Sequence, residues 1–330
     1  MSRGCSVRIR PLAALSVAAM SALLLAGCSG SAEPDATPTP SSSAASECLL
    51  DAKPGDDSDA IEVTGSGTDL AATVPDSLAF EDVQRTIVTE GDGDDVVSGD
   101  LVSGFYTVYD GSTGELLQDS SETSPDESGE VPILMDPQNY SLFVATLECL
   151  PLGSTVAMTI PGSAFGEGAS PVVVVAETTD LIPTSATGTE QDPVDGMPTV
   201  EFDDDGAPTI TIPDTDAPTE VQLTALKKGD GPVVASGDTV FVQYTGVKWS
   251  DGSVFDSSWD RGQPAAFQTT GVVAGFQQAL EGQTVGSQML VVIPPAFGYG
   301  EGEINDQDLT GETLVFVVDI LGVQRAAAAE

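Results

Sequence analysis

Apolar and polar residues alternate along most of the C-terminal third of the chain, and this alternation predicts strands. In the segment 240–247, Val242 and Tyr244 lie on one face of an extended chain, whereas Phe241 and Gln243 lie on the other. Other runs in this region are rich in β-branched residues, which favour strands. Together these runs predict strands at 221–226, 239–247, 253–256, 265–269, 287–293 and 312–322.

One segment of this region has the spacing of a helix instead. Its apolar residues recur every three or four positions, and Gly282 follows them as a C-terminal stop. We therefore predict a helix at 273–281. One short helix packed against a mostly antiparallel sheet is an α+β domain.

Two pairs of segments repeat along the chain. Residues 84–106 and 222–244 each contain a Gly-Asp-Gly turn, a Val-Val pair, a Ser-Gly-Asp triplet and a final tyrosine. Leu142–Ile160 and Gly275–Ile293 share a phenylalanine, an apolar pair and a Gly-Ser turn, and proline follows each of them. A spacing of about 133–138 residues indicates the duplication of a domain rather than a solenoid repeat.

We accordingly predict two copies of one fold, joined by a polar segment. The predicted division is a domain at 47–182, an interdomain linker at 183–219, a domain at 220–324 and a tail at 325–330. Within the linker, Thr199–Phe202 and Thr209–Ile212 can pair as a small hairpin around the acidic turn Asp203–Gly206. That turn lacks the ligand spacing of an EF-hand loop, so we interpret it as a solvated turn and predict no metal site.

The start of the chain has the pattern of an export signal. Arg3, Arg8 and Arg10 form a charged segment, and the apolar segment 12–26 that follows is shorter than a membrane span. It ends in Leu-Ala-Gly-Cys, which resembles the lipobox of bacterial lipoproteins. This resemblance implies cleavage before Cys28 and attachment of a lipid to its sulfur.

These observations predict a lipid-anchored protein outside the cytoplasm, held at the bacterial cell membrane. The signal peptide is predicted at 1–27, and the Ser-, Pro- and Thr-rich residues 28–46 are predicted to be a disordered tether. The alternative is an ordinary secretory signal or an uncleaved anchor that contains a cysteine by chance.

Two further cysteines, Cys48 and Cys149, follow the tether. Export places them in a compartment that permits disulfides, so we predict that they pair. In the chain-entropy model, closing a loop of about 100 residues stabilises the fold by roughly 4–5 kcal/mol. Two buried free thiols are the alternative.

Composition excludes several classes of function. With 52 acidic and 10 basic residues, the chain has a net charge of −42, which repels nucleic acid phosphates. It contains no histidine, which excludes a Ser-His-Asp triad and a histidine-ligated zinc. No glycine-rich phosphate loop is present either, and we predict no cofactor. Composition leaves open acid–base hydrolysis by paired carboxylates, although nothing in the sequence places two of them together. The other possibility is a site of aromatic and aliphatic side chains with a few hydrogen-bonding groups.

The segment 240–261, VFVQYTGVKWSDGSVFDSSWDR, places a tyrosine, a phenylalanine and an aspartate on two extended runs around an Asp-Gly turn. It resembles the YTG…DG…FDSS signature of the FKBP-type peptidyl-prolyl isomerases, and the resemblance extends over about residues 220–322. It implies that both predicted domains are FKBP-like, each a curved, mostly antiparallel sheet around one short helix.

The resemblance also implies the residues of a site. Those implied in catalysis are Tyr244, Phe255, Asp256 and Tyr299, with the Tyr299 hydroxyl bound to the substrate carbonyl. Those implied in substrate binding are Val272, Val273, Phe276, Phe316, Phe267, Ile304 and Leu309. The flap at 301–312 lacks the family's Gly-x-Ile-Pro-Pro run, and Ile304 or Leu309 is its expected wall residue. Arg261 is expected either to pair with Asp256 or to be a solvated charge.

The first copy departs from this pattern. Aligned by Tyr106, its counterparts of Phe255 and Asp256 are Leu117 and Gln118, and Phe165 is expected to replace Tyr299. We predict that it is a degenerate FKBP-like copy without catalysis. A spacer, a dimerisation unit and a client-binding surface are its alternative roles.

The sequence thus predicts a peptidyl-prolyl cis-trans isomerase that assists the folding of exported proteins at the cell surface. Its implied partners are proline-containing exported polypeptides, the membrane through the lipid on Cys28, and macrolide inhibitors. The alternative is a non-catalytic chaperone or scaffold that holds prolyl or unfolded segments. A solute-binding lipoprotein would need two lobes with many helices, and the chain has few helical stretches.

Overall fold

The computed structural model describes Leu50, residues 52–136, Gln138 and residues 142–304 and 308–326. All of them belong to one compact unit. The predicted signal peptide, Cys28, the tether and Cys48 lie outside the described residues. Cys149 is disulfide-bonded, and its pairing with Cys48 stays a prediction. No helix in the part of the chain that the structure describes is long and apolar enough to cross a membrane.

We call residues 52–182 the first lobe. It begins with a small substructure: α1 (Asp56–Asp59), β1 (Glu62–Thr64) and β2 (Ala71–Thr73). Its main elements are β3 (Gln84–Thr89), β4 (Leu101–Asp110), β5 (Leu116–Asp119), β6 (Val131–Leu134), α2 (Leu142–Leu147), β7 (Thr155–Ile160) and β8 (Val172–Leu181).

We call residues 183–326 the second lobe. It begins with β9 (Thr189–Glu190) and the hairpin β10 (Thr199–Phe202) and β11 (Pro208–Thr211). Its main elements are β12 (Gln222–Lys228), β13 (Thr239–Lys248), β14 (Val254–Ser257), α3 (Ser258–Arg261), β15 (Ala265–Gln268), α4 (Ala274–Leu280), β16 (Gln288–Ile293) and β17 (Leu314–Gln324). The predicted helix at 273–281 is therefore α4, and the prediction of mostly antiparallel sheets with few helices is confirmed.

The two main sheets have the same strand order. In the first lobe the order is β3-β7-β8-β4-β5, with β6 paired to β4. In the second lobe it is β12-β16-β17-β13-β14, with β15 paired to β13 and β9 at the edge of β12. Every pair in both sheets is antiparallel.

The register repeats as well as the order. Gln118 lies opposite Val108 in the first lobe, and Asp256 lies opposite Gly246 in the second. In both lobes the register then shifts by one residue, immediately after Val108 and after Gly246. A bulge of this kind re-aims the side chains beside it, so its recurrence is a detailed similarity between the two lobes.

Each lobe covers the two faces of its sheet differently. In the second lobe, α4 packs on the inner face, where Phe276, Ala279 and Leu280 join the main apolar core. The hairpin β10–β11 packs on the outer face through Ile210, beside Trp249. The equivalent face of the first lobe is covered by β1–β2, which the sequence did not predict. The segment 183–219 is therefore integrated into the second lobe rather than free between the lobes.

The close approach of α4 to the sheet depends on one glycine. A Cβ atom on Gly275 would lie 2.4 Å from Cγ2 of Ile293 in β16. Because no side chain fits there, Gly275 lets the helix backbone lie directly on the sheet. This contact fixes the N-terminal turn of α4, which is where the candidate site is found.

Candidate functional site

A cavity of about 320 Å³ opens between α4 and the inner face of the second sheet. Its lining combines residues from β13, β14, β15 and β17 with α4, the turn before α4 and the segment after β16. The lining residues are Tyr244, Phe255, Asp256, Phe267, Gly271, Val272, Val273, Phe276, Tyr299 and Phe316. Nine of the eleven residues that the sequence implied for the site thus meet around one cavity.

Five aromatic rings form most of this wall. Phe276 contacts Phe316 edge-to-face with ring centroids 5.0 Å apart, and Phe255 contacts Phe316 in the same manner at 5.4 Å. Tyr244 lies beside Phe267 and Phe276, at 5.6 and 6.1 Å. Pairs of this geometry stabilise each other by about 0.5–1.5 kcal/mol beyond their area burial. The cavity therefore has a wall of mutually packed aromatic rings.

One side of the cavity carries a polar network of three residues. The Tyr244 hydroxyl donates to Oδ2 of Asp256 at 2.5 Å, and Arg261 forms an ion pair with Oδ1 of the same carboxylate. The Arg261 Nη2 also donates to the Tyr244 hydroxyl at 2.9 Å, with the guanidinium carbon 5.4 Å from the ring centroid. Both carboxylate oxygens of Asp256 are thus engaged, and its charge is held at a fixed place.

Burial raises the pKa of the Tyr244 hydroxyl to about 12, and its hydrogen bond to Asp256 acts in the same direction. An unfolded tyrosine ionises near pH 10, so the folded protein holds this proton more tightly. The resulting stabilisation is complete below about pH 10 and is lost as the pH rises towards 12.

We therefore expect Tyr244→Phe to change the alkaline pH dependence of stability. The free energy of unfolding of the wild type should fall more steeply between pH 10 and pH 12 than that of the variant. Chemical denaturation at closely spaced pH values measures both. Parallel curves for the two proteins would contradict the proton-holding role of Tyr244.

Tyr299 occupies the mouth of the cavity. It follows a short 3-10 turn, Pro295–Phe297, which succeeds β16. The side chain is 54% exposed, and its hydroxyl has no hydrogen-bond partner among the described residues. A hydroxyl in this position can donate to a bound carbonyl without first breaking another bond.

The flap differs from the expectation. Ile304 is 58% exposed, and Leu309 is half-buried against the main core of the second lobe. Neither of these two implied binding residues lines the cavity. Gly271 does line it and was missed, because a glycine contributes only backbone and leaves no side-chain signal in the sequence.

Gly246 gives the two outer aromatic rings their room. A Cβ atom there would lie 2.6 Å from Cζ of Phe255 and 2.7 Å from Cε1 of Phe316. The first lobe has Val108 at this register position, with Leu117 and Val174 where the second lobe has the two phenylalanines. The lobe that has the two phenylalanine rings therefore has a glycine between them, and the lobe that lacks the rings has a valine at that position.

We expect Gly246→Ala to displace the rings of Phe255 and Phe316 into the cavity. This should reduce kcat/KM for a substrate of this site by at least about tenfold. Overpacking of this kind costs about 1–3 kcal/mol of stability. Adding Phe255→Leu should restore part of the stability, because it removes one of the two close contacts and leaves the one with Phe316. It should not restore the activity, because the wall stays incomplete. Thermal unfolding and steady-state kinetics distinguish the two effects. Full activity of Gly246→Ala would show that the rings do not need this space.

The corresponding region of the first lobe is built differently. The Tyr106 hydroxyl accepts from Nε2 of Gln118 at 2.9 Å, so an amide replaces the carboxylate. The Phe143 ring lies 4.2 Å from that of Tyr106, closer than the 6.1 Å between Tyr244 and Phe276.

The expected replacement of Tyr299 by Phe165 is off by one residue. Each lobe has a 3-10 turn after an Ile-Pro step, capped by Pro161 and by Pro294. Counted from these prolines, the counterpart of Tyr299 is Gly166. The hydroxyl is absent from the first lobe in either alignment.

Comparison with known proteins gives a consistent set of similarities. The model of the family FKBP-type peptidyl-prolyl cis-trans isomerase matches residues 231–321, a span that contains every residue lining the cavity. An FK506-binding protein of Streptomyces anulatus is 42% identical over 99 residues, which are 29% of this chain and 80% of that protein. A probable FK506-binding protein of Corynebacterium glutamicum is 42% identical over 93 residues, 28% of this chain and 78% of that protein. Outer membrane protein MIP of Legionella longbeachae is 36% identical over 107 residues, 32% of this chain and 46% of that protein.

Proposed function

Because the chain belongs to the family of FKBP-type peptidyl-prolyl cis-trans isomerases, we propose that its second lobe isomerises X-Pro bonds of exported proteins at the cell surface. The observation that carries this proposal is the cavity itself, in which four phenylalanines and Tyr244 surround a space beside the fixed carboxylate of Asp256 and the hydroxyl of Tyr299. That hydroxyl has no hydrogen-bond partner in the part of the chain that the structure describes. No bond is broken in such a reaction, which agrees with the lack of histidine and of a predicted nucleophile.

The chemistry follows from the amide. Rotation about the bond has a barrier of about 18–20 kcal/mol because resonance is lost at the twisted state. A prolyl ring seated on Phe276 and Phe316 is held in an apolar space, which favours the less polar twisted amide over the planar one. Each 1.36 kcal/mol gained only in the twisted state multiplies the rate by about ten.

The polar groups act as fixed electrostatic partners. Tyr299 donates to the carbonyl of a substrate residue and holds the chain while the bond rotates. Asp256 presents its charge at the cavity edge, and Tyr244 and Arg261 keep it there by hydrogen bonds. No proton transfer is required, so these groups contribute by preorganisation.

The proposal is tested by proline-limited refolding. A small protein whose slow refolding phase is an X-Pro isomerisation serves as the substrate, and the slow rate is measured against enzyme concentration. We expect a linear increase in the slow rate and no change in the fast phases. A slow rate independent of enzyme concentration would exclude action on protein substrates.

The location is proposed from the lipobox-like end of the predicted signal peptide. A relative, outer membrane protein MIP of Legionella longbeachae, carries a membrane location in its name. We expect Cys28→Ser to move the protein from the membrane fraction to the soluble extracytoplasmic fraction, because lipid attachment needs the thiol. Cell fractionation and labelling with an alkyne fatty acid measure this, and Cys5→Ser is the matched control. Membrane retention of Cys28→Ser without label would point to an uncleaved anchor.

Two relatives are named as FK506-binding, and on the proposed function this macrolide is expected to compete with the prolyl substrate. The affinity of the protein for FK506 would measure how well the cavity wall between Phe267 and Tyr299 accommodates a macrolide. Because Ile304 is exposed and Leu309 is packed in the core, we expect weaker binding than a complete flap would give.

We propose that the first lobe is a degenerate FKBP-like copy, supported by its shared strand order and bulge positions. A second candidate function of the whole chain, the holding of unfolded segments, is favoured by one observation. Leu116, Leu117 and Phe165 of the first lobe are about half exposed. Suppression of client aggregation that is lost on Leu117→Ser but independent of isomerisation would support it.

A further inference from the structure

The two lobes share a buried contact on one side of the second sheet. Leu101 of the first lobe clusters with Phe241 and Leu321 of the second, and Leu134 and Ile182 pack against them. Hydrogen bonds surround this cluster. The Gln324 side-chain amide donates to the carbonyl of Pro132 at 2.7 Å. The backbone N–H of Arg325 donates to the carbonyl of Thr123, also at 2.7 Å.

This contact lies directly behind the wall of the isomerase cavity. Phe241 pairs in register with Ala266 of β15, and the neighbouring residue of β15 is Phe267, a cavity wall residue. Because successive side chains of a strand point to opposite faces, the shared cluster and the cavity lie on the two sides of the same strands.

A second contact between the lobes lies next to Arg261, which belongs to the polar network of the cavity. Nε2 of Gln263 donates to Oδ1 of Asp136 in the first lobe at 3.1 Å. A Cβ atom on Gly99, also in the first lobe, would lie 3.4 Å from the carbonyl oxygen of Gly262 and 3.5 Å from Cβ of Gln263. The first lobe thus touches the loop that ends α3, two residues beyond Arg261.

The conformation of that loop sets the place of the Arg261 guanidinium. α3 is a single turn of four residues and ends at Gly262 in the left-handed region, at a φ of +72°. So short a helix has little stability of its own and depends on its tertiary contacts. The hydrogen bond from Gln263 to Asp136 therefore affects where Arg261 lies, and with it the Arg261 contacts to Asp256 and Tyr244.

We propose that the first lobe is a buttress of the isomerase site, with Asp136 as a positioning residue that acts on Asp256 through Gln263 and Arg261. The proposal rests on the proposed function of the second lobe. It assigns the first lobe a role that requires no catalysis: holding residues 262–268 against the cavity.

The test uses Asp136→Ala in the full chain, with kcat/KM on an X-Pro peptide and amide hydrogen exchange at residues 262–268. One partly buried hydrogen bond accounts for about a threefold to tenfold loss in kcat/KM. Asp136→Asn keeps the acceptor oxygen and should retain the wild-type rate. Asp110→Ala is the matched control. The Asp110 carboxylate accepts from the backbone N–H of Ser112, two residues on, as Asp136 accepts from that of Gln138.

A double-mutant cycle separates positioning from simple stabilisation. If Asp136 acts through Arg261, Asp136→Ala causes no further loss in an Arg261→Ala background. An additive loss, or an Asp110→Ala effect of equal size, overturns the proposal. Unchanged exchange at residues 262–268 in Asp136→Ala also overturns it. The hydrogen-exchange measurement does not depend on activity. An inactive wild type would refute the proposed function, and the exchange at residues 262–268 would still show whether Asp136 holds this segment.

Discussion

Asp256→Leu should lower kcat/KM for X-Pro isomerisation by about tenfold to a hundredfold while leaving the fold intact. A hydrogen bond to a charged group is worth about 1.5–3 kcal/mol, and Asp256 has two such partners at the cavity edge, Tyr244 and Arg261. Its removal takes away the fixed negative charge and frees the guanidinium beside the cavity. Isomerisation kinetics and a thermal unfolding curve measure the two consequences.

The stability should change little, because the ion pair is about two-fifths exposed on both sides and exposed pairs contribute about 0–1 kcal/mol. Asp256→Asn is the matched control, since it keeps the shape and one acceptor but not the charge. If charge is the contribution of Asp256, the asparagine variant loses most of the activity too. Wild-type rates for both variants would remove Asp256 from the mechanism.

Arg325→Ala should cause the largest loss of stability among the substitutions considered, about 2–4 kcal/mol. The Asp238 side chain is 3% exposed, and Arg325 forms its ion pair while also donating to the carbonyls of Val233 and Pro125. Removing one partner of a buried pair leaves an uncompensated charge. The guanidinium also joins the lobes, because Pro125 belongs to the first and Asp238 to the second.

For a chain of this size, such a loss corresponds to a fall in Tm of about 3–7 °C, which calorimetry measures. Arg325→Lys is the informative control, because it keeps the charge but cannot contact both lobes with a planar fork. We expect an intermediate Tm for it. A Tm of Arg325→Ala within about 2 °C of the wild type would show that Asp238 is compensated otherwise.

The site was more predictable from the sequence than the contacts between the lobes were. Tyr244 stands on a strand whose alternation is visible in the sequence, whereas Phe255 and Phe316 were implied by the family resemblance. The register of the strands then brings the three residues together. The hairpin β10–β11 could also be predicted, since two short alternating runs flank an acidic turn.

The parts that were missed depend on long-range packing. Arg325 was assigned to a tail, because nothing next to it in the sequence indicates that Asp238 and Pro125 are its partners. Ile304 and Leu309 were expected to line the site from their place in the flap of the family resemblance, whereas Leu309 packs against the core of the second lobe. The hairpin β1–β2 was missed because its strands have only three residues each.

The similarity of the two lobes also separates what belongs to the fold from what belongs to the site. Both lobes keep the tyrosine, the bulge and the strand order, at Tyr106 and at Tyr244. Only the second lobe combines a glycine on the central strand with two phenylalanine rings and a carboxylate. That combination, rather than the tyrosine, distinguishes the lobe that has the aromatic cavity.

The most direct test of the central claim is two-dimensional exchange NMR on an X-Pro peptide with a catalytic amount of the protein. Uncatalysed exchange takes tens of seconds or more. We predict cis–trans exchange cross-peaks at mixing times below one second for the wild type, and weaker peaks for Gly246→Ala. Line broadening of the peptide without exchange cross-peaks would mean that the cavity binds prolyl segments and does not isomerise them, which would contradict the account.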